Sequence, residues 1–95
     1  MTAYVVVDIE IIDFERYEEY KKMAPDPIAA YGGKYLARGG ALEVLEGEHT
    51  PQRVVILEFE SIERAKQWWD SPEYREAREL RHATARSTML VVEGL

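Results

Sequence analysis

YGGKYLARGGALEVLEGE, residues 31–48, decides how the rest of the chain is read. Two glycine pairs, Gly32-Gly33 and Gly39-Gly40, bracket a short β-type run, and glycine permits the positive φ or close backbone approach found at helix ends, bulges and bends. The reading is a helix that stops at Tyr31 and a strand that starts at Lys34, bends at the second pair and resumes through Ala41, Leu42, Val44 and Leu45. A helix thus hands over to a kinked strand expected at the centre of a sheet and covered over much of its length.

Upstream, residues 3–12 alternate. Ala3, Val5, Val7, Ile9 and Ile11 share a purely apolar face, and Tyr4, Val6, Asp8, Glu10 and Ile12 share a mixed one. Asp13 reads as the N-cap of a helix whose narrow apolar stripe is Phe14, Tyr17, Tyr20, Met23 and Ala24. Pro25 should end that helix, because proline disfavours helical geometry in the residue before it. Asp26-Pro27 reads as a cap and first position restarting one short turn to Tyr31. Downstream, Gly47 to Pro51 is a turn, and Gln52 to Phe59 is a strand apolar on both faces, with Glu58 beside Val54 and Ile56. Ser61 caps a helix with the stripe Ile62, Ala65, Trp68 and Trp69. Asp70 interrupts it, Ser71-Pro72-Glu73 starts another with Tyr74, Ala77, Leu80 and Thr84 inside, and Ser87 to Glu93 closes the chain as a strand.

The order is β-α-β-β-α-β, and the starts of the two helical halves, Asp13-Phe14-Glu15-Arg16 and Ser61-Ile62-Glu63-Arg64, repeat one pattern of cap, apolar residue, Glu and Arg. The simplest fold is α+β and ferredoxin-like: a four-stranded antiparallel sheet with helices from about 14 to 31 and 62 to 84 on one face. Helices on one side leave the other face bare, yet the second face of the first strand carries Tyr4, Val6 and Ile12, and the strand at 52–59 is apolar on both faces. Exposed apolar patches of this kind mark interfaces, so a homodimer through the sheet face is expected.

Composition narrows the function. The 95 residues form one domain, 1–95, with a single core. Eighteen acidic against twelve basic residues, a formal charge of −6, disfavour a nucleic-acid partner. The absence of cysteine removes disulfides, thiolate metal sites and Cys nucleophiles. No basic leader or unbroken apolar span is present, which reads as a soluble cytoplasmic protein with no membrane partner. Both phosphate-loop glycine spacings and both paired-histidine zinc spacings are missing, so no cofactor and no metal is expected.

Five blocks, AYVVVDIEI, YEEYKKMAP, IAAYGGKYLARGGALEVLEG, RVVILEFES and WWDSPEYREARELR, resemble successive segments of the domain of unknown function family 1330. That resemblance implies membership of the dimeric α/β-barrel superfamily, hence a ferredoxin-like protomer dimerising through its sheet. It implies no particular reaction, because the superfamily mixes cofactor-free monooxygenases, isomerases, haem enzymes and proteins without known chemistry.

Four charged residues lie on or beside segments otherwise built for burial: Asp8, Arg38, Glu58 and Arg81. They are the candidate ligand-binding residues; no catalytic residue is assigned. Arg38, just before Gly39-Gly40, suits bidentate binding of a carboxylate, or else an ion pair with Asp8, Glu10 or Glu58. Arg81 invites the same two readings. Asp8 and Glu58 are either paired carboxylates of raised pKa or partnered charges at a dimer rim. His49 reads as a solvated loop residue, and His82 as a polar group suited to a helix C-terminus, or as an acid/base group or haem ligand, with no second feature in support of haem. The aromatic stripes read as core before pocket. Three functions fit: a dimer that binds a small molecule, a carboxylate among the options, between sheet and helices; a metal-independent enzyme of the isomerase or cofactor-free monooxygenase type; and a purely structural or interaction domain.

Overall fold

The computed structural model describes residues 1–95. The elements run β1 (Ala3–Ile11), α1 (Phe14–Met23), α2 (Pro25–Ala30), β2 (Lys34–Arg38), β3 (Arg53–Phe59), α3 (Ile62–Trp69), α4 (Pro72–Thr84) and β4 (Ala85–Glu93). The strands form one antiparallel sheet in the order β2-β3-β1-β4, the ferredoxin-like arrangement. β1 is the axis. It pairs with β3 from Ala3↔Phe59 to Ile9↔Arg53, and with β4 from Ala3↔Glu93 to Ile11↔Ala85. Directly opposed residues share a face. The alternation read in β1 therefore aligns Val5, Val7 and Ile9 with Val55 and Leu57, all buried, against Tyr17 and Tyr20 of α1, Trp68 of α3, and Tyr74 and Ala77 of α4. Each of these aliphatic side chains contributes about 1.5–3 kcal/mol of transfer free energy by leaving water.

Three expected caps are present. Oδ1 of Asp13 accepts from the Arg16 amide at 3.1 Å, Oγ of Ser61 from Arg64 at 3.1 Å, and Oγ of Ser71 from Tyr74 at 3.1 Å. The fourth, Asp26, is corrected: α2 starts at Pro25, and its N-cap is Ala24, with no side-chain bond. Ala24 keeps helical angles (φ −67°, ψ −40°), and its amide still reaches the Tyr20 carbonyl. Proline at the first helical position removes only an amide that has no helical partner there, so the chain bends between α1 and α2 without leaving helical geometry.

The stretch 31–48 behaves differently from its reading. Gly32 does end the helical segment with φ +77°, and Gly33 packs where a Cβ would sit 2.7 Å from Ile28 and Phe59. β2, however, is an edge strand of five residues, not a central one, and its register shift falls between Tyr35 and Ala37, ahead of the second glycine pair. Residues 39–52 contain no strand, and Leu45 is 93% exposed. The reason is the supply of partners. Arg38 already lies opposite Val55, and the amide of Gly39 donates to Val54 at 2.9 Å, so β3 has only Arg53 left to offer. Apolar residues beyond that point have no ladder to join. Gly39, at φ +66°, turns the chain away where a Cβ would collide with the Arg53 guanidinium.

All four helices lie on one side, as the buried face of β1 requires. The other side stays bare: Tyr4 and Val6 of β1, Val54 and Ile56 of β3, and Leu90 and Val92 of β4, the last two 58% and 50% exposed, form a continuous apolar surface.

Candidate functional site

On the helix side, a cleft of about 1010 Å³ opens between α3, the α3–α4 junction and β4. Trp68, Trp69, Arg81, His82, Ser87 and Met89 are among its walls. Local sequence explains each placement. Trp68 sits on the buried stripe of α3, stacked between Phe59 (5.2 Å between centroids) and Tyr74 (4.5 Å). Trp69, one residue later, turns outward and is covered by the Arg78 guanidinium at 4.7 Å. Ser87 and Met89 alternate with exposed residues along β4, on the face shared with Ile9 and Val7.

Arg81 lies one turn from the end of α4 on its inner stripe, four residues beyond Ala77 and seven beyond Tyr74, and is 2% exposed. Its Nε donates to Tyr74 Oη at 3.4 Å, its Nη1 to Ser87 Oγ, and its Nη2 lies 3.5 Å from His82 Nε2. Behind it, the hydroxyls of Tyr74 and Tyr20 share a buried hydrogen bond of 2.7 Å. Burial first, then the neighbouring Tyr74, raises the Tyr20 phenol well above its ordinary value; burial likewise raises Tyr17 and Tyr35. His82 is pushed down, first by partial burial and then by the positive charges of Arg81 and Arg78. The far wall is tied by Tyr31, whose hydroxyl donates to Glu73 at 2.8 Å and whose carbonyl accepts from Arg64 Nε at 3.2 Å.

The four sequence-chosen residues do not meet. Arg81 alone lines the cleft. Arg38 is on the opposite edge, where it donates to the Lys21 carbonyl at 3.2 Å and lies 4.6 Å from the Tyr35 ring centre; it forms none of the three ion pairs weighed for it. Asp8 and Glu58 are on the bare face, opposite Val54 and Tyr4 respectively, which puts them four residues apart along β1, roughly 13 Å at strand rise. They are no carboxylate pair. Asp8 instead meets His49 at 2.6 Å; the histidine is a solvated loop residue as read, 73% exposed, and it also ties the 39–52 segment to the sheet. Sequence reasoning missed Ser87 and the indole Nε1 of Trp68, a buried donor without a hydrogen-bond partner. A two-residue alternation in β4 could have flagged Ser87 as an inward polar group; nothing local marks an orphaned indole. It also missed Arg53, whose buried Nε is likewise unpaired, beside a second cavity of only about 30 Å³ under α1.

A ferredoxin-like protomer with its cleft between helices and sheet is thus the class to which this chain belongs. Residues 2–95 match the family described as Domain of unknown function (DUF1330), and the chain is a member of that family. No protein of curated function matches it. Its fold is similar to that of a protein of unknown function from Rhodopseudomonas palustris, with 20% identity, a TM-score of 0.82, and coverage of 99% of this chain and 82% of the other. It is also similar to a dimeric ferredoxin-like protein of unknown function from a Jannaschia species (13% identity, TM-score 0.73, 99% and 100% covered). A third similar fold is SnoaB, a cofactor-independent oxygenase from Streptomyces nogalater (9% identity, TM-score 0.67, 99% and 93% covered).

Proposed function

We propose that this protein is a homodimer, two copies joined through their bare sheet faces as a dimeric α/β barrel, and that each copy takes a small molecule into the cleft beside β4. The cleft carries this reading. Its volume of about 1010 Å³ is at the upper end of the range for small-molecule sites, and it reaches inward to Val5 and Trp68. The apolar surface of Tyr4, Val6, Val54, Ile56, Leu90 and Val92 supports the dimer, since a surface of that kind left in water invites association. The Jannaschia relative, described as dimeric, agrees.

Light scattering should give twice the 11.0 kDa chain mass at micromolar concentration, and Ile56→Lys should give monomers or aggregates. The chain has two tryptophans and both line the cleft, so tryptophan emission reports ligand entry directly. A broad small-molecule library should contain members that shift emission and raise the melting temperature together. A library with no such member leaves the structural or interaction domain.

A second reading, a metal-independent enzyme in the same cleft, is favoured by Arg81, which lines the cleft, is held from behind by the Tyr74–Tyr20 hydroxyl pair, and would steady negative charge developing on a bound molecule. The oxygenase chemistry of SnoaB supports it only through shared fold. Incubation of the protein with a cleft ligand under air separates the readings: oxygen uptake or an altered ligand by mass spectrometry favours the enzyme, and an unchanged ligand favours binding alone.

A further inference from the structure

We infer that the cleft is built for an organic carboxylate, with Arg81 and Ser87 as the donors that hold its head and the apolar length of β4 as the wall for its body. The inference rests on the small-molecule reading of the cleft and narrows it to a ligand class.

Arg81 carries it. A guanidinium is charged at any pH a protein meets and has five N–H donors but no acceptor. This one is 2% exposed, and its contacts are all neutral: Tyr74, Ser87 and His82. No carboxylate pairs with it. Three contacts leave donors unfilled, and a buried charge without a counter-charge is strongly unfavourable until one arrives. The surroundings do not supply it. Burial holds the Tyr20 phenol neutral, and His82 is kept neutral by burial and by Arg81 itself. Glu63 and Asp70 also line the cleft, but both are exposed at its mouth, and Asp70 faces Arg78 at 3.9 Å.

Ser87 makes the same demand. Its Oγ accepts from Arg81, which leaves its own O–H to donate outward. Two donor groups of different kinds therefore meet at one corner of the cleft, and no protein carboxylate answers either of them. An ionised carboxylate is acceptor-only and brings the missing negative charge.

The shape decides what the carboxylate is attached to. Arg81 and Ser87 flank the α4–β4 corner, whereas Pro72 and Val91 mark the other end, roughly 13 Å away along either element. Between them runs Met89, and Trp69 also lines the cleft. A site of about 1010 Å³ is far larger than acetate or phosphate needs, so the ligand has an apolar body of at least a fused ring pair.

The test is calorimetric titration of the intact protein with 2-naphthoate and with 2-naphthamide, its uncharged counterpart of nearly equal shape. The wild type should bind naphthoate at least ten-fold tighter, Arg81→Met should erase that preference, and Ser87→Ala should weaken naphthoate at least three-fold. Equal binding of the two probes by wild type, or tighter binding of the amide, overturns the carboxylate inference and leaves the small-molecule reading standing. A naphthoate preference that survives Arg81→Met overturns the assignment to Arg81. Should neither probe bind, the carboxylate inference falls; the small-molecule reading falls with it only if the broad library also fails to move tryptophan emission. The wild-type comparison needs no variant to fold.

Discussion

The two edges of the sheet each carry an arginine that the sequence singled out, and they hold it in opposite ways. At the β2 edge, Arg38 is exposed, lies against Tyr35 and donates to a backbone carbonyl of α1. At the β4 edge, Arg81 is sealed behind α4, bonded only to neutral groups, and faces a cleft. The same residue type beside the same kind of apolar segment is a surface clasp in one place and an unanswered charge in the other. What separates them is the covering layer: α3 and α4 close over β4, while β2 runs out of partner strand at Arg53 and opens into an exposed loop. Chemical capacity follows enclosure, because a low-dielectric surround is what makes a charge costly alone and selective when paired.

That contrast can be broken most severely at Trp68. Trp68→Ala removes the side chain that joins α3 to Phe59 and Tyr74, and should lower unfolding free energy by about 3–5 kcal/mol in urea titrations. Leu36→Ala, at the other edge and 53% exposed, should stay within about 0.5 kcal/mol. Equal losses at the two sites would refute the view that only the β4 side is enclosed.

The arginine networks give the next largest difference. Tyr74→Phe leaves the Tyr20 hydroxyl and Arg81 Nε without their shared partner in a buried site, a loss of about 1–3 kcal/mol. Arg38→Ala forfeits one hydrogen bond and one ring contact in solvent, about 1 kcal/mol or less. A larger effect at Arg38 than at Tyr74 reverses the comparison.

The smallest effect concerns pH. The folded-state pKa of His82 lies below its unfolded value, so the unfolded chain binds the proton first. Stability from this group is therefore present above about pH 6.5 and declines as pH falls below it. His82→Gln should flatten that decline in melting temperature between about pH 6.5 and 5, and a slope identical to wild type would show that His82 does not titrate against Arg81 and Arg78.

Much of this protein was legible before any coordinates. The two-residue alternation of Val5, Val7 and Ile9 specified which face of β1 is buried, because one face must leave water and a strand has only two. Asp13, Ser61 and Ser71 marked three helix starts, since free amides of a first turn need acceptors close in sequence. All of these are local physics. What failed was long-range. Residues 41–45 carry a strand-like pattern, yet whether a strand forms depends on a partner, and β3 begins too late to give one. Asp8, Arg38, Glu58 and Arg81 are equivalent on paper as charges in apolar company. Only the sheet order and the position of the helices put two on the bare face, one on an open edge and one beside a cleft. Burial and charge pairing are sums over neighbours distant in sequence, so the tertiary fold alone decides which arginine is buried without a counter-charge.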